Sequence, residues 1–119
     1  DWREMFDADY DRRFTFAAKL VEKYNQDRSV VHRKLDLLLN WWHDLLLVKV
    51  DCGKDVVNID YNDELKNMAS AYSMGQIRAF IGRIQLAKEQ LRQNANHQLI
   101  MEVLMLNIPE KNDQKNLVA

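Results

Sequence analysis

Three side chains offer the first test for chemistry in this 119-residue chain: His32, Asp36 and His43. On a helix they share one polar wedge, where imidazole and carboxylate could in principle meet a metal. His32 and His43 are separated by roughly 16 Å of helix, too far to share one ion. His32 with Asp36 is only a pair, and two ligands do not make a site. The wedge therefore reads as solvated or hydrogen-bonded surface. His97 reads as a surface or capping residue. The single cysteine, Cys52, follows Asp51 with no cation beside it, so it lacks the setting of an activated thiolate. It cannot form an internal disulfide, which fits a reducing compartment. No GxxxxGK[ST] or GxGxxG run occurs, and Gly53-Lys54 alone does not cradle a phosphate. Arg78, Arg83, Lys88 and Arg92 make a modest basic strip. The net charge of −1 gives no global pull toward nucleic acid or membrane, and the strip reads as a solvated or pairing face. The residues point to no catalytic, cofactor-binding or metal-binding constellation.

The elements that carry these residues are helical. There are three Gly and one Pro, far too little turn chemistry for a β domain. Hydrophobic residues are 47% and charged residues 29%, an ordinary globular balance for one domain able to bury a core without disulfides or metals. The pattern predicts an all-α, single-domain bundle of about five helices around a central apolar helix, Ser29–Asp51. Within it Leu35, Leu38, Leu39, Trp42, Leu45, Leu46 and Val50 fall on one arc, which Leu37, Trp41 and Val48 widen to more than half the circumference. Such a helix must be covered on several sides. Asp36, Asn40, His43 and Asp44 occupy the remaining wedge. It is too short and too polar for a membrane span.

The first helix is expected from Trp2 to Asn25, with Arg13 as a charged intruder in its apolar stripe. Asp27 or Ser29 can cap the central helix. Cys52–Asp60 reads as irregular, with Val56, Val57 and Ile59 in a short extended piece. Asp60 reads as the cap of a short helix burying Leu65, Met68, Ala69 and Tyr72. Ser73 and Gln76 match a capping box. The fourth helix, Met74–Gln93, should bury Ile77, Phe80, Ile81, Ile84, Ala87 and Leu91. Asn94 can close it and Asn96 open the next, since Asn tolerates the left-handed conformation and is a strong N-cap.

The fifth helix, Asn96–Asn107, is apolar nearly all round: Leu99, Ile100, Met101, Val103, Leu104, Met105 and Leu106, broken by Glu102. Either neighbouring helices enclose it or one face meets another subunit. Ile100, Met101, Leu104 and Met105 are the expected contact residues in the second case. Residues 1–109 form the domain and 110–119 a disordered polar tail. The abrupt start at Asp1-Trp2 suggests a piece of a longer protein.

Three segments in order resemble one family: WWHDLLLVKV at Trp41–Val50, Asn58-Ile59-Asp60, and LRQNANHQLIMEVLML at Leu91–Leu106. The family is the C-terminal domain of the delta-prime subunit of the bacterial DNA polymerase III clamp loader. The resemblance covers Arg12 to Pro109. It places the family's pattern on Trp42, Asp44, Leu45 and Leu46, then Asn58 and Asp60, then Leu91, Asn94, Asn96, Leu99 and Glu102. The Trp41-Trp42 pair, and Met101 where small residues are usual, depart from it.

The resemblance implies a non-catalytic helical collar domain, an oligomerisation domain that holds the delta, delta-prime and gamma/tau subunits in a ring during sliding-clamp loading in DNA replication. The parent complex would be a DNA polymerase holoenzyme with ATP-driven clamp loading. Its ATPase and zinc-binding parts would precede this segment. The implied partners are the other clamp-loader subunits. DNA contact would be indirect through the full complex, with no cofactor, small-molecule ligand or membrane, in the cytoplasm. The alternatives are the related gamma/tau collar, or a stand-alone helical domain that binds protein, or DNA through Arg78, Arg83, Lys88 and Arg92.

Overall fold

Asp9 splits the predicted first helix in two. The computed structural model describes residues 2–50, 59–93 and 96–112. Helix α1 is Trp2–Phe6 and α2 is Tyr10–Gln26. The Asp9 carboxylate accepts the Arg12 backbone N–H at 2.9 Å, the N-cap geometry that starts a new helix. Trp2, Phe6 and Tyr10 keep helical spacing across the corner, so periodicity alone does not reveal the break. The corner turns α1 so that Trp2, Met5 and Phe6 enter the core. Arg13, the charged intruder, is buried because it closes α1. Its Nε donates to Met5 O at 2.9 Å, which also accepts the Ala8 N–H at 3.3 Å, and its Nη2 donates to Phe6 O at 3.1 Å, both carbonyls at the C-terminal end of the short helix.

Helix α3, Arg28–Lys49, is the long central element. Asp27, not Ser29, is its cap, accepting from the Ser29 backbone at 3.1 Å. After a 3-10 turn at Ile59–Tyr61 comes α4, Asn62–Ser70, then α5, Met74–Arg92, and α6, His97–Leu106. Asp60 lies in the 3-10 turn and does not cap α4, whose cap position is Tyr61 with no side-chain hydrogen bond. The Ser73–Gln76 capping box forms in both directions, at 3.1 and 2.8 Å, and Asn96 caps α6 through the Leu99 N–H at 3.1 Å. The expected extended piece at Val56–Val57 and the Asn94 cap lie outside the described residues, and no strand occurs among those described.

Helices α2, α3, α5 and α6 form a closed ring in that order, each packed on its two neighbours, and α4 leans on α3 from outside. Trp42 sits at the centre with no exposure. Its ring meets Phe6 at 5.6 Å, Tyr72 at 5.2 Å and Phe80 at 4.8 Å between centroids, the tilted and edge contacts that aromatic quadrupoles favour. The α5 face buries the six residues that its spacing predicts. The α3 arc is narrower than expected, because Leu37 is 62% exposed while Leu46, Leu47 and Val48 are half-buried. Asp44, placed by periodicity in the polar wedge, is fully buried. Residues 110–112 are tied to the bundle. Asn112 N donates to Ala71 O at 2.8 Å, Gln76 Nε2 donates to Glu110 O at 3.1 Å, and Lys111 pairs with Asp7 at 2.8 Å.

Candidate interaction surface

Most of the side chains that could do chemistry are engaged in holding helices together. His32 and His97 pack edge-on against the same ring, Tyr24, at centroid distances of 5.7 and 4.6 Å. Tyr24 O–H in turn donates to Leu91 O at 3.1 Å, so one tyrosine joins α2, α3, α5 and α6. His97 is thus a half-buried packing residue, while the cap is Asn96. Burial holds the His32 pKa below its ordinary value, with Arg92 and Lys88 adding to the effect. The Asp36 carboxylate is taken by Lys88 across the α3–α5 contact, which removes it as a ligand beside His32. His43 is exposed. No group of three or more potential metal ligands converges among the described residues. In the basic strip, Arg92 also has an acidic neighbour, Glu89 at 3.9 Å, whereas Arg78 and Arg83 have no ion pair among the described residues.

Trp42 and Leu91 lie in the core, and Asp44 is buried with them. Asn96 is a cap, and Asp60 is exposed in the turn. Glu102 is half-buried and accepts from Gln98 Nε2 at 3.0 Å. Asn58 and Asn94 lie outside the described residues.

Helix α6 decides where a neighbour could bind. Ile100, Met101, Leu104 and Met105 all face inward and are buried in the chain's own core. Ile100 and Leu104 also edge the α5–α6 seam. The opposite side carries Leu99, Val103 and Leu106 at i, i+4 and i+7, exposed by 56%, 37% and 49%. Helix spacing puts these on one stripe. Leu86 of α5, also exposed, continues the stripe across the α5–α6 seam. The seam is a shallow groove with Arg83, Leu86, Ala87 and Gln90 on one side and Ile100, Val103 and Leu104 on the other. A second apolar hollow surrounds Leu37, between Trp2, Trp41 and Tyr61. There Arg3 already covers Tyr61 at 4.7 Å and pairs with Glu64 at 2.9 Å.

The stripe is the candidate contact surface of α6. No described helix is long and apolar enough to cross a membrane. A family model described as DNA polymerase III, delta subunit, C terminal, matches residues 11–110. No curated protein and no solved structure matches the chain.

Proposed function

The chain belongs to the family of C-terminal domains of the DNA polymerase III delta subunit, a clamp-loader family, and from that premise we propose that it is the collar domain of the delta-prime subunit. Its work is to hold clamp-loader subunits in a ring while the ATPase parts of the complex act on the sliding clamp. It does this without catalysis of its own, in the bacterial cytoplasm. The observation that carries the reading is the exposed stripe Leu99–Val103–Leu106 on a helix whose other face is already full. Burying an exposed leucine in a contact is worth roughly 1–2 kcal/mol, so a stripe of this size can anchor a neighbour.

The family description leaves delta itself open beside delta-prime; the gamma/tau collar is a further alternative, and the sequence preceding this segment separates it from delta-prime. A degenerate Walker motif there supports delta-prime, and an intact one supports gamma/tau. Direct DNA binding through the α5 basic strip is the weaker reading, since Lys88 and Arg92 have acidic neighbours. The test is co-purification of the chain with the delta and gamma/tau subunits of the same clamp loader. A complex at micromolar concentration is expected. No complex, together with salt-sensitive DNA binding at physiological ionic strength, overturns the collar reading.

A further inference from the structure

Helix α1 rests on three other helices, all of them beyond the corner at residues 7–9 in the sequence. Trp2 Nε1 donates to Lys34 O of α3 at 2.7 Å, and the Trp2 ring meets Phe16 of α2 edge-on at 5.0 Å. Phe6 stands edge-on to Trp42 of α3 at 5.6 Å, and Arg3 pairs with Glu64 of α4 at 2.9 Å. The corner itself is held by few groups. The Asp9 carboxylate caps α2 through the Arg12 N–H, Asp7 pairs with Lys111, and Ala8 N donates to Met5 O at 3.3 Å. Residues 7–9 are Asp-Ala-Asp, with no Gly or Pro to break a helix there. Trp2, Phe6 and Tyr10, then Arg13 and Ala17, keep spacings of three and four. One helix through residue 26 is therefore a second conformation open to the same sequence.

Straightening the corner exchanges one set of polar partners for another. A continuous helix satisfies Met5 O and Phe6 O from the backbone N–H groups of Asp9 and Tyr10. Arg13 is then released from those two carbonyls and stands one turn from Asp9, an attractive i, i+4 pair, while Asp7 and Asp11 repel at the same spacing. The apolar side chains decide the outcome. In a lone chain, straightening carries Trp2, Met5 and Phe6 out of the core and bares Trp42, so the lone chain stays bent. A second copy removes that loss, because its α1 already has the shape and contacts of this seat, and its own seat receives an α1 in return. We propose that two copies of this chain exchange α1, residues 7–9 becoming helical so that each α1 rests on α2, α3 and α4 of the other copy. The pair is a closed twofold dimer that repeats the Trp2, Arg3 and Phe6 contacts of the monomer across copies. Within one chain the short corner keeps α1 at an effective concentration in the millimolar range, so exchange needs protein at a comparable concentration or a weakened corner.

The test is sedimentation of the 119-residue chain, with crosslinking to identify what joins the copies. Asp7→Ala with Asp9→Ala removes the cap and the Lys111 tie while favouring helix, and is expected to raise dimer formation about tenfold. Ala8→Gly opposes helix at the corner and is expected to lower it about fivefold. The wild-type chain, cooled slowly from its Tm at about 1 mM, should give the same dimer. For the crosslink, Arg3→Cys is placed in one copy and Glu64→Cys in the other, with Cys52→Ser in both, and the two are mixed before cooling. A short bismaleimide should join the two copies in the dimer fraction. A dimer that does not crosslink in this way, or that Leu99→Asp with Leu106→Asp abolishes, is a surface contact and overturns the proposal. Absence of any dimer from both the double aspartate variant and the wild type overturns it as well. None of these outcomes bears on the collar reading, which rests on α6.

Discussion

Tyr72 and Trp42 place polar atoms in the centre of the core, and neither the phenol oxygen nor the indole nitrogen has a hydrogen-bond partner among the described residues. Burial, joined by the Asp7 carboxylate, pushes the Tyr72 pKa up to about 12. The folded state therefore favours the neutral phenol. Stability from this group is complete below the ordinary value of 10.0 and is lost as pH rises from there through about 12. Tyr72→Phe removes an unsatisfied hydroxyl and keeps the ring against Trp42. Its Tm at neutral pH should match or exceed the wild type, and its alkaline unfolding should shift to higher pH. A loss above roughly 1 kcal/mol would show that the hydroxyl is bonded in solution. His32 carries the opposite limb. Its folded value is depressed, so the folded state holds fewer protons than the unfolded chain as pH falls. Stability is complete above the ordinary value of 6.5 and declines below it. His32→Asn should flatten the decline between neutral pH and about pH 5, as read from urea midpoints across that range.

At the scale of elements, α1 is only five residues long and could not persist alone. It is held by Trp2, whose Nε1 donates to Lys34 O at 2.7 Å, and by Arg13 across its C-terminal carbonyls. Arg13→Ala should cost about 1–3 kcal/mol, since Phe6 O loses its donor and Met5 O keeps only the Ala8 N–H at 3.3 Å. The loss should be local. Amide exchange at Met5 and Phe6 should rise well before that of α3 and α5, and uniform exchange across all helices would contradict this. A stripe read only as periodicity would treat Arg13 as an error in the pattern. The corner at Asp9 turns it into the residue that makes α1 possible.

Over the whole molecule, the ring of α2, α3, α5 and α6 closes on aromatic packing, and residues 110–112 strap its α1 corner to the start of α5. The strap joins Asp7, Ala71 and Gln76, the first of them far from the others in sequence. Truncation after Pro109 removes these ties. It should lower stability by about 1–2 kcal/mol, since the contacts are few and largely exposed. Thermal unfolding of the truncated and full chains checks this, and an unchanged Tm would mean that the strap contributes nothing. None of the stripe residues is a partner of the strap, so truncation is expected to leave that exposed surface of α6 unchanged.

Much of this protein was legible in the residue order. The all-helical class, the α5 face, the Ser73 capping box and the Asn96 cap follow from local spacing and from side chains that reach only a few residues. The inward and outward faces of α6 do not. A helix apolar nearly all round gives periodicity no direction to choose, so only the positions of α2 and α5 could bury Ile100, Met101, Leu104 and Met105 and leave Leu99, Val103 and Leu106 outside. Leu37 and Asp44 exchanged expectations for the same reason. A helical wheel reports how wide an apolar arc is, and the neighbours that cover it are supplied by chain segments distant in sequence. Tertiary structure alone decided which apolar side chains of α6 this chain leaves exposed.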